Sequence, residues 1–473
     1  MTIRPESSWS HAPYRPPFFD VGEPCICRLA PGADSVRVEW LASSPGPYRV
    51  YLRPRGGGDF ALAGETVGSG LDVAGLAPGA DYELYVASTS GRSRVRLVRT
   101  GAVFGTVVNY LHPDDDAYAF SGHYLCSPSL LRLPDNGLLA SMDLYAGGAP
   151  QNLTLVFRSD DDGRTWHHCS ELLPAFWTKL FLHRGAVYAL ACSTEYGDLL
   201  IGRSDDGGRT FGVPTVLLRG GGGKAGWAGV HKNPQPVVPF AGRLWGSLEW
   251  GSWAQGYHAA MVMSAPEDAD LLDAASWRFS EPVPYDPAAW GLPLGPSIGC
   301  LEGCLVEREG VLYNVMRYQM EGLTPNYGLA PAFRVDADNP EAPIRFERAI
   351  PFPANHSKFE IRRHPGSGRY YSLATRIVDT RHPGARNLLS LMASDDLWHW
   401  EVVADVQNRL SDDPAKVGLQ YVDFLIEGDR ILFLTRLADN GAHSYHDANY
   451  SVFDTLDLKM CKRGNVANGS CRQ

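Results

Sequence analysis

The chain lacks any apolar run near the roughly 18 residues that a membrane-spanning helix needs, and residues 1–19 show no basic-then-apolar signal pattern. We therefore expect no membrane partner and a cytoplasmic location for the sequence as it stands, or a secreted or periplasmic one if a leader has been removed. The nine cysteines are odd in number and scattered without paired CxxC sets, which argues against a disulfide framework or a zinc cluster. No cofactor is expected, although a structural divalent metal stays open.

Positive charge is also scarce: 43 basic side chains face 53 acidic ones, and the net charge is −10. Without a long basic run the chain has no electrostatic footprint for nucleic acid. The stretch Gly220-Gly-Gly-Gly-Lys224 lacks the first glycine and the Ser/Thr of a phosphate-binding loop, and no G-x-S-x-G elbow is present. An anionic ligand would therefore need a local basic pocket that overcomes the global charge.

The chain is rich in turn-forming residues and in stretches where apolar and polar residues alternate, as they do in β-strands. It contains 50 glycines and 34 prolines, and apolar and polar residues alternate in stretches such as 36–40, 82–86 and 153–158. Helical periodicity is nearly absent, and only 266–276 reads as a short helix. The sequence predicts an all-β protein.

Residues 21–104, after an N-terminal extension at 1–20, read as a small β-sandwich. Trp40 ends one strand, and Leu76 and Tyr82 form a corner at the start of another. This pattern resembles a fibronectin type III module, which implies core packing for these residues, a corner hydrogen bond for the tyrosine and a supporting role for the unit.

The remaining segment, 105–473, carries an internal repeat. The stretch Ser159-Asp-Asp-Asp-Gly-Arg-Thr-Trp166 recurs 45 residues later as Ser204-Asp-Asp-Gly-Gly-Arg-Thr-Phe211, and a shorter echo follows at 394–400. Repeats of this kind indicate stacked units that cannot bury their own apolar faces alone. The repeat resembles the Asp-box of the sialidase superfamily, which implies a sialidase-like β-propeller in which the boxes are structural. Six two-strand anchors can be counted, and the chain ends could build a seventh, so the prediction is six or seven blades.

Ligands of a propeller bind at its central mouth, which is lined by the first, innermost strand of each blade and the loop leading into it. The candidate residues are therefore those just before or within these first strands. The catalytic candidates are His123, Tyr196 and His231. The predicted substrate-binding residues are Arg203, Lys232, Asn233, Trp250, Tyr257, Glu302, Lys358, Arg386, Asn387 and His446. Imidazole, ammonium, guanidinium and amide groups suit a carboxylate or sugar hydroxyls, and the aromatic rings suit sugar stacking. The motif His443-x-x-His446-Asp447 has metal-ligand residue types but no further partner in the sequence.

The resemblance implies action on glycans through one of two branches. A sialidase would carry an arginine triad, a Tyr/Glu nucleophile pair and an Asp acid, with its first arginine in an Arg-Ile-Pro-like motif. At the position of that motif, which leads the first blade, this sequence has His123-Tyr-Leu-Cys-Ser-Pro. The second branch is similar to the ulvan-lyase and rhamnosyl-glucuronate type, which implies β-elimination next to a uronic acid, with His/Tyr acid-base chemistry and a basic group on the carboxylate. Those roles suit His123, His231, Tyr196 and Arg203.

The sequence thus predicts a carbohydrate-active enzyme on an anionic, uronate-containing oligo- or polysaccharide. A sialidase-like, exo-acting hydrolase using Glu302 or Asp447 is the alternative enzyme. A glycan-binding propeller without catalysis is the third interpretation, and it would tolerate loss of His123 and Tyr196.

Overall fold

The computed structural model describes residues 24–42, 45–221, 227–292, 299–319, 328–379, 381–382 and 384–461, the side chain of Gln319 excepted. The predicted N-terminal extension and residues 222–224 of the glycine-rich loop lie outside this range. Regular structure in the described part is β-strand apart from a 3-10 turn at Ala274–Ser276 and one helical turn, α1 (Leu458–Cys461). None of its helices has the length and apolar character that a membrane span requires.

The N-terminal unit consists of two facing sheets. Its strands are β1 (Cys25–Pro31), β2 (Ser35–Leu41), β3 (Tyr48–Pro54), β4 (Ala61–Thr66), β5 (Gly70–Ala74), β6 (Asp81–Ala87) and β7 (Arg96–Arg99). One sheet has the order β1-β2-β5 and the other β4-β3-β6-β7. The predicted small sandwich is therefore present.

The core of this sandwich contains the residues that the sequence singled out. Trp40 is buried and meets Tyr48 edge to face at 5.5 Å between ring centroids. The Tyr82 hydroxyl accepts a hydrogen bond from the amide of Ala77 at 2.8 Å, which is the predicted corner bond. The boundary at residue 104 and the likeness to fibronectin type III stay predictions.

The rest of the chain is a succession of antiparallel strands. They are β8 (Thr106–Tyr110), β9 (Tyr124–Arg132), β10 (Leu138–Tyr145), β11 (Thr154–Ser159), β12 (His167–Leu172), β13 (Phe176–His183), β14 (Ala186–Cys192), β15 (Leu199–Ser204), β16 (Thr215–Leu218), β17 (Gly229–His231), β18 (Val238–Phe240), β19 (Arg243–Ser252), β20 (Tyr257–Pro266), β21 (Arg278–Phe279), β22 (Gly299–Arg308), β23 (Val311–Gln319), β24 (Leu329–Arg334), β25 (Arg345–Pro351), β26 (Ile361–Arg363), β27 (Tyr370–Thr375), β28 (Leu388–Ser394), β29 (Glu401–Asn408), β30 (Gly418–Glu427), β31 (Arg430–Ala438) and β32 (Tyr450–Asp457).

These strands form consecutive units of the kind expected for propeller blades. Separate four-stranded sheets are β9 to β12, β13 to β16, β26 to β29, and β30-β31-β32-β8. A nine-stranded sheet holds two further units, β17 to β21 and β22 to β25, whose strands pair within the described residues where His258 meets Gly299. The two chain-end segments that could have built a seventh blade, β8 and β32, pair with each other inside the sheet of β30. Strand β9 contacts β13 on one side and β30 on the other, so the units close on one another.

The repeated motif forms tight turns between outer strands. The Ser159 hydroxyl accepts from the amide of Gly163 at 2.8 Å, and the Asp161 carboxylate accepts from the amide and the hydroxyl of Thr165 at 2.8 and 2.6 Å. Trp166 is buried and packs on Phe453 of β32, at 5.4 Å between centroids. The motif thus satisfies its own turn and fastens the unit of β9 to that of β30, as its predicted structural role requires. After the motif that the sequence resembles, we call the turns at 159–166, 204–211 and 394–400 the Asp-box turns.

The predicted helix at 266–276 was wrong. Strand β20 runs to Pro266, and only Ala274–Ser276 forms a 3-10 turn. The Asp270 side chain accepts from the amide of Leu272, and Asp273 accepts from Ala275. Such local side-chain bonds compete with the backbone bonds of a helix.

Candidate functional site

Four first strands carry a β-bulge at the same level, and each bulge holds one residue in the left-handed region. These residues and their φ angles are Ser127 (48°), Trp177 (54°), Glu302 (57°) and Tyr421 (59°). The register shifts against the neighbouring strand at each of the four places. A bulge redirects a side chain that regular alternation would place elsewhere. The repetition of this device brings residues from different units to one central place.

That place is a cavity of about 310 Å³ at the centre of the ring. It is lined by Cys126, Tyr145, Phe176, Trp177, Glu195, His231, Trp253, Glu302, Tyr421, Arg436 and His446. Three of the predicted site residues, His231, Glu302 and His446, are in this lining. Its size is near the lower end of the range for small-molecule sites, ~300 Å³.

Glu302 and Tyr421 form a hydrogen-bonded pair in this cavity. The Tyr421 hydroxyl donates to Oε1 of Glu302 at 2.7 Å, Asn233 Nδ2 donates to the same oxygen at 2.5 Å, and Arg317 Nη1 donates to Oε2 at 2.8 Å. Burial raises the pKa of the Glu302 carboxyl, but the charge and hydrogen bond of Arg317 outweigh it, so the pKa lies below its ordinary value. Burial and Glu302 raise the pKa of Tyr421. The pair is therefore a neutral phenol that donates to an ionised carboxylate.

Three guanidinium groups surround Tyr421. Arg317 Nη1 donates to its hydroxyl at 3.3 Å, and the guanidinium carbons of Arg436 and Arg386 lie 4.3 and 5.7 Å from its ring centroid. Burial lowers the pKa of Arg386, and the positive charges of Arg317 and Arg436 lower it further. Glu302 balances only Arg317 by direct contact. The cluster therefore carries excess positive charge.

The other two guanidiniums keep unused donors. Arg386 donates to the amide oxygen of Gln420, and Arg436 Nη1 contacts the Cys126 sulfur at 2.9 Å. In the described part of the chain neither arginine pairs with a carboxylate, and Nε of Arg386 and Nε and Nη2 of Arg436 have no hydrogen-bond partner. Buried donors without partners are rare in folded proteins. These three donors remain unsatisfied within the described part of the chain.

A second polar cluster lies across the cavity around His231. Its Nδ1 contacts Oε2 of Glu249 at 2.6 Å, and both side chains are almost fully buried. The His231 ring packs against Trp177 at 4.5 Å and His258 at 4.9 Å between centroids. Tyr196 stands behind this wall, where its hydroxyl accepts from the amide of Trp253 and contacts His258 Nε2. Tyr196 itself is not among the residues that line the cavity.

Two predicted lysines are buried and bind backbone oxygens. Lys232 Nζ donates to the carbonyls of Trp177 and Asn233 at 2.8 and 3.2 Å, and burial lowers its pKa to about 7. Lys358 Nζ donates to the carbonyl of Val422 at 2.8 Å. Both fix the backbone beside a bulge, at Trp177 and Tyr421, so they support the cavity from behind.

The other predicted residues are not among those that line the cavity. His123 Nδ1 is 3.4 Å from the Asp115 carbonyl, Arg203 pairs with the exposed Asp205 beside an Asp-box turn, and Asn387 donates to the carbonyl of Arg409. Trp250 is partly buried within strand β19, and Tyr257 is 41% exposed at the start of β20. The structure does not bring His123, Tyr196 and Arg203 together with His231 in one lining.

The site residues missing from the prediction are Tyr421, Arg317, Arg436 and Glu249. The two arginines were visible as the ends of second strands, and Tyr421 lies inside a predicted unit. The available signal was position: Tyr421 precedes Phe424 by three residues, as Glu302 precedes Leu305 and Trp177 precedes Leu180. This shared offset marks the bulge in three units.

No group of three or more His, Cys, Asp or Glu side chains in the described ranges is arranged to hold a metal ion. In the motif at 443–447, His443 contacts the hydroxyl of Tyr124 and the carboxylate of Asp114, and His446 faces the cavity beside Asp447. Burial and the neighbouring Arg436 lower the pKa of His446 to about 4. The two histidines of the motif therefore have different partners.

No protein-family model matches the chain, and no curated protein matches it. Among solved structures it is similar to the α-L-arabinanase of Penicillium chrysogenum complexed with arabinobiose, at 15% identity and a TM-score of 0.51 over 76% of this chain and 98% of that one. It is also similar to the α-L-arabinofuranosidase of Fusarium graminearum in complex with an iminosugar inhibitor, at 14% identity and a TM-score of 0.51 over 75% and 98%. A Hadza microbial sialidase matches at 13% identity and a TM-score of 0.48 over 90% and 93%.

At such identities the likeness to the first two enzymes shows the fold alone. The predicted all-β architecture is confirmed: the chain is an all-β protein in which a small sandwich precedes a β-propeller.

Proposed function

We propose that this protein is a glycoside hydrolase that removes a carboxylate-bearing sugar from a glycan, with Tyr421 as its nucleophile. The observation that carries the proposal is the Tyr421–Glu302 pair in the cavity, in which a phenol surrounded by three guanidinium groups donates to an ionised carboxylate. Tyrosine serves as the nucleophile in some glycosidases. A cavity that suits about one sugar ring favours exo action.

The pair provides an activated nucleophile. As the phenol oxygen of Tyr421 attacks the anomeric carbon, Oε1 of Glu302 accepts its proton, and the bond to the leaving oxygen breaks. Because the pKa of Glu302 is held below its ordinary value, the carboxylate is ionised at neutral pH and ready to accept. Water then cleaves the covalent sugar–tyrosine bond, and Glu302 returns the proton to the phenol oxygen.

The guanidinium of Arg436, which lines the cavity, would bind the carboxylate of the sugar, and Arg386 would support it from the other side of Tyr421. Their unused donors lie around the same phenol, so the carboxylate would be held beside the reacting carbon. The sequence lacks the arginine of an Arg-Ile-Pro motif and has Cys126 on that strand. Arg436 Nη1 contacts the Cys126 sulfur, so a guanidinium from β31 reaches this part of the cavity.

β-Elimination next to a uronate is the second candidate. It is favoured by His231, a histidine in the lining whose Nδ1 contacts a buried carboxylate, because a base on that side could take the proton α to the sugar carboxylate. The same guanidiniums would then neutralise the carboxylate. This mechanism leaves an unsaturated uronate, whereas hydrolysis does not.

The test is a panel of substrates that share a 4-methylumbelliferyl leaving group and differ in the sugar: a sialoside, a β-glucuronide and a neutral α-L-arabinofuranoside. Uronate oligosaccharides are followed in parallel by the ultraviolet absorbance of an unsaturated product. Fluorescence from a carboxylate sugar alone supports the proposal. Fluorescence from the arabinofuranoside alone contradicts an anionic substrate, and rising absorbance without hydrolysis establishes the elimination instead.

A further inference from the structure

Tyr421 and Glu302 leave one requirement of glycoside hydrolysis unmet. The leaving oxygen needs a proton as its bond to the sugar breaks, and Glu302 is receiving the proton of Tyr421 at that moment. A second acid must therefore face the cavity. The need for this acid rests on the proposed hydrolase function.

Asp143 cannot supply this proton directly. It is fully buried, it is absent from the cavity lining, and its carboxylate accepts from the amide of Thr178 and from the hydroxyl of Thr154. Of the two histidines in the lining, His446 has a pKa near 4 because of burial and Arg436, so it carries no proton to donate at neutral pH.

His231 is placed differently because of its register in the sheet. Strand β17 pairs with β19 so that His231 lies directly opposite Glu249. Cross-strand partners point to the same face, which explains the 2.6 Å contact between His231 Nδ1 and Glu249 Oε2. The other oxygen of Glu249 accepts from the amide of Gly303 at 3.3 Å, next to Glu302. The carboxylate is thereby fixed between the imidazole and the bulge that presents Glu302.

The contact leaves Nε2 as the ring nitrogen available to a ligand. Glu249 occupies Nδ1, and within the described part of the chain Nε2 takes part in no hydrogen bond. His231 belongs to the unit of β17 to β21 and Tyr421 to the unit of β30, β31, β32 and β8, so the imidazole and the phenol approach the cavity from different sides of the ring. A sugar bound between them would meet the nucleophile on one face and the imidazole on another.

We infer that the Glu249–His231 dyad is the acid-base group of this cavity, with His231 Nε2 as the catalytic atom and Glu249 as a positioning residue. The imidazolium gives its Nε2 proton to the glycosidic oxygen as the carbon–oxygen bond breaks and the bond to Tyr421 forms. The neutral imidazole then takes a proton from the water that attacks the covalent intermediate. Glu249 holds the Nδ1 proton throughout and stabilises the charged ring.

The experiment compares two substrates with the same carboxylate sugar, one with a sugar leaving group that needs a proton and one with an aryl leaving group that departs without it. Values of kcat/KM are measured because they report the steps up to the covalent intermediate. We expect His231→Gln to lose at least ~100-fold on the sugar leaving group and less than ~10-fold on the aryl one. Glu249→Gln should show the same preference with a smaller loss.

The pH profile tests the positioning role of Glu249. The charged and titratable groups that face His231 are Glu249, Glu302, His258, Tyr196 and the neighbouring Lys232. Removing the negative charge of Glu249 disfavours the imidazolium, so Glu249→Gln should move the alkaline limb of kcat/KM to lower pH. A structural role alone would not move that limb.

The controls separate this inference from the proposed function. Glu195→Gln removes the other carboxylate of the lining, and His364→Gln removes a partly exposed histidine outside the lining that donates to the carbonyl of Gly428. If His231→Gln loses equally on both substrates, or if Glu195→Gln shows the leaving-group preference instead, the Glu249–His231 dyad is not the acid-base group. The proposed hydrolase function is unaffected by either result. If the wild-type protein cleaves neither substrate, the hydrolase itself fails and the dyad's role fails with it.

Discussion

The Asp-box turns and the central cavity are both rich in charged and polar side chains, but their hydrogen bonds differ. Those of the turns are made within one short segment of chain, and those of the cavity also join different sheets. In the first turn, Ser159, Asp161 and Thr165 bond to one another within seven residues of chain. In the cavity, Glu302 and Tyr421 come from different sheets, and arginine donors remain unused. Polar groups that complete their bonds locally specify the fold, whereas buried groups that do not are available to a ligand.

Two arginines show the same contrast. Arg132, near the Asp-box turn, pairs with both Asp162 and Glu427 at 2.7 Å. Arg436, in the cavity, pairs with no described carboxylate and is 2% exposed. A buried guanidinium without a counter-charge costs stability. Such a group is consistent with selection for binding rather than for the folded state.

Removing the nucleophile should have the largest effect. Tyr421→Phe deletes only the hydroxyl that donates to Glu302, so we expect kcat/KM on a carboxylate-sugar substrate to fall at least ~1,000-fold. The denaturation midpoint should change little, because Glu302 keeps its bonds to Asn233 and Arg317. Steady-state kinetics and urea unfolding measure the two quantities. Full activity of this variant would remove Tyr421 from the mechanism and favour the elimination.

Removing an unpaired arginine should weaken binding without weakening the fold. Arg436→Met takes away Nε and Nη2, which have no partner among the described residues, together with the contact of Nη1 to the Cys126 sulfur, so we expect affinity for a carboxylate sugar to fall by ~10- to 100-fold, as for a hydrogen bond to a charged group. Arg203→Met is the matched control, since Arg203 pairs with the exposed Asp205. Calorimetric titration gives both affinities. Equal affinity in the two variants would show that the anion is not bound at Arg436.

A substitution in the Asp-box turn should lower the stability of the fold without a specific loss of activity. Asp161→Ala removes the acceptor for the amide and hydroxyl of Thr165, so we expect a loss of ~1–2 kcal/mol in the free energy of unfolding, as for a lost helix or turn cap. Asp160→Ala, which removes a carboxylate paired with Arg158, should stay within ~0.5 kcal/mol. Urea unfolding measures both. A specific loss of kcat in folded Asp161→Ala would contradict a purely structural role.

The same contrast explains what the sequence could predict. The Asp-box turns were readable because their spacing and their bonds lie in one short segment. His231 and Glu302, which line the cavity, were predicted because the sequence places them just before or within a first strand, and Arg386 was predicted because it precedes an apolar strand. Tyr421 was missed because a bulge inside β30 redirects it, and simple alternation along the strand carries no sign of that bulge.

His123, Tyr196 and Arg203 show the other limit. Each was placed near a first strand or its loops by sequence position, yet the direction of the side chain depends on its neighbours in the folded chain. Arg203 is held outward by Asp205, and Tyr196 is held behind the cavity wall by Trp253 and His258. Periodicity along the strands could not reveal such contacts.

The smallest expected effect is an opposite pH dependence of stability in the two regions. Burial raises the pKa of Asp143, beside the cavity wall, to about 7, so the folded protein keeps a proton that the unfolded chain releases above its ordinary pKa, and stability falls as pH rises from about 4 to about 7. An amide at this position cannot titrate, so the Asp143→Asn variant should gain stability relative to wild type across that window.

In Asp161 the bonds from Thr165 outweigh burial and lower the pKa of the carboxyl. The contribution of Asp161 to stability is therefore present above its ordinary pKa and is lost as pH falls through the lowered value. Urea unfolding at a series of pH values measures both slopes, and parallel curves for wild type and Asp143→Asn would show that Asp143 stays ionised in the folded protein.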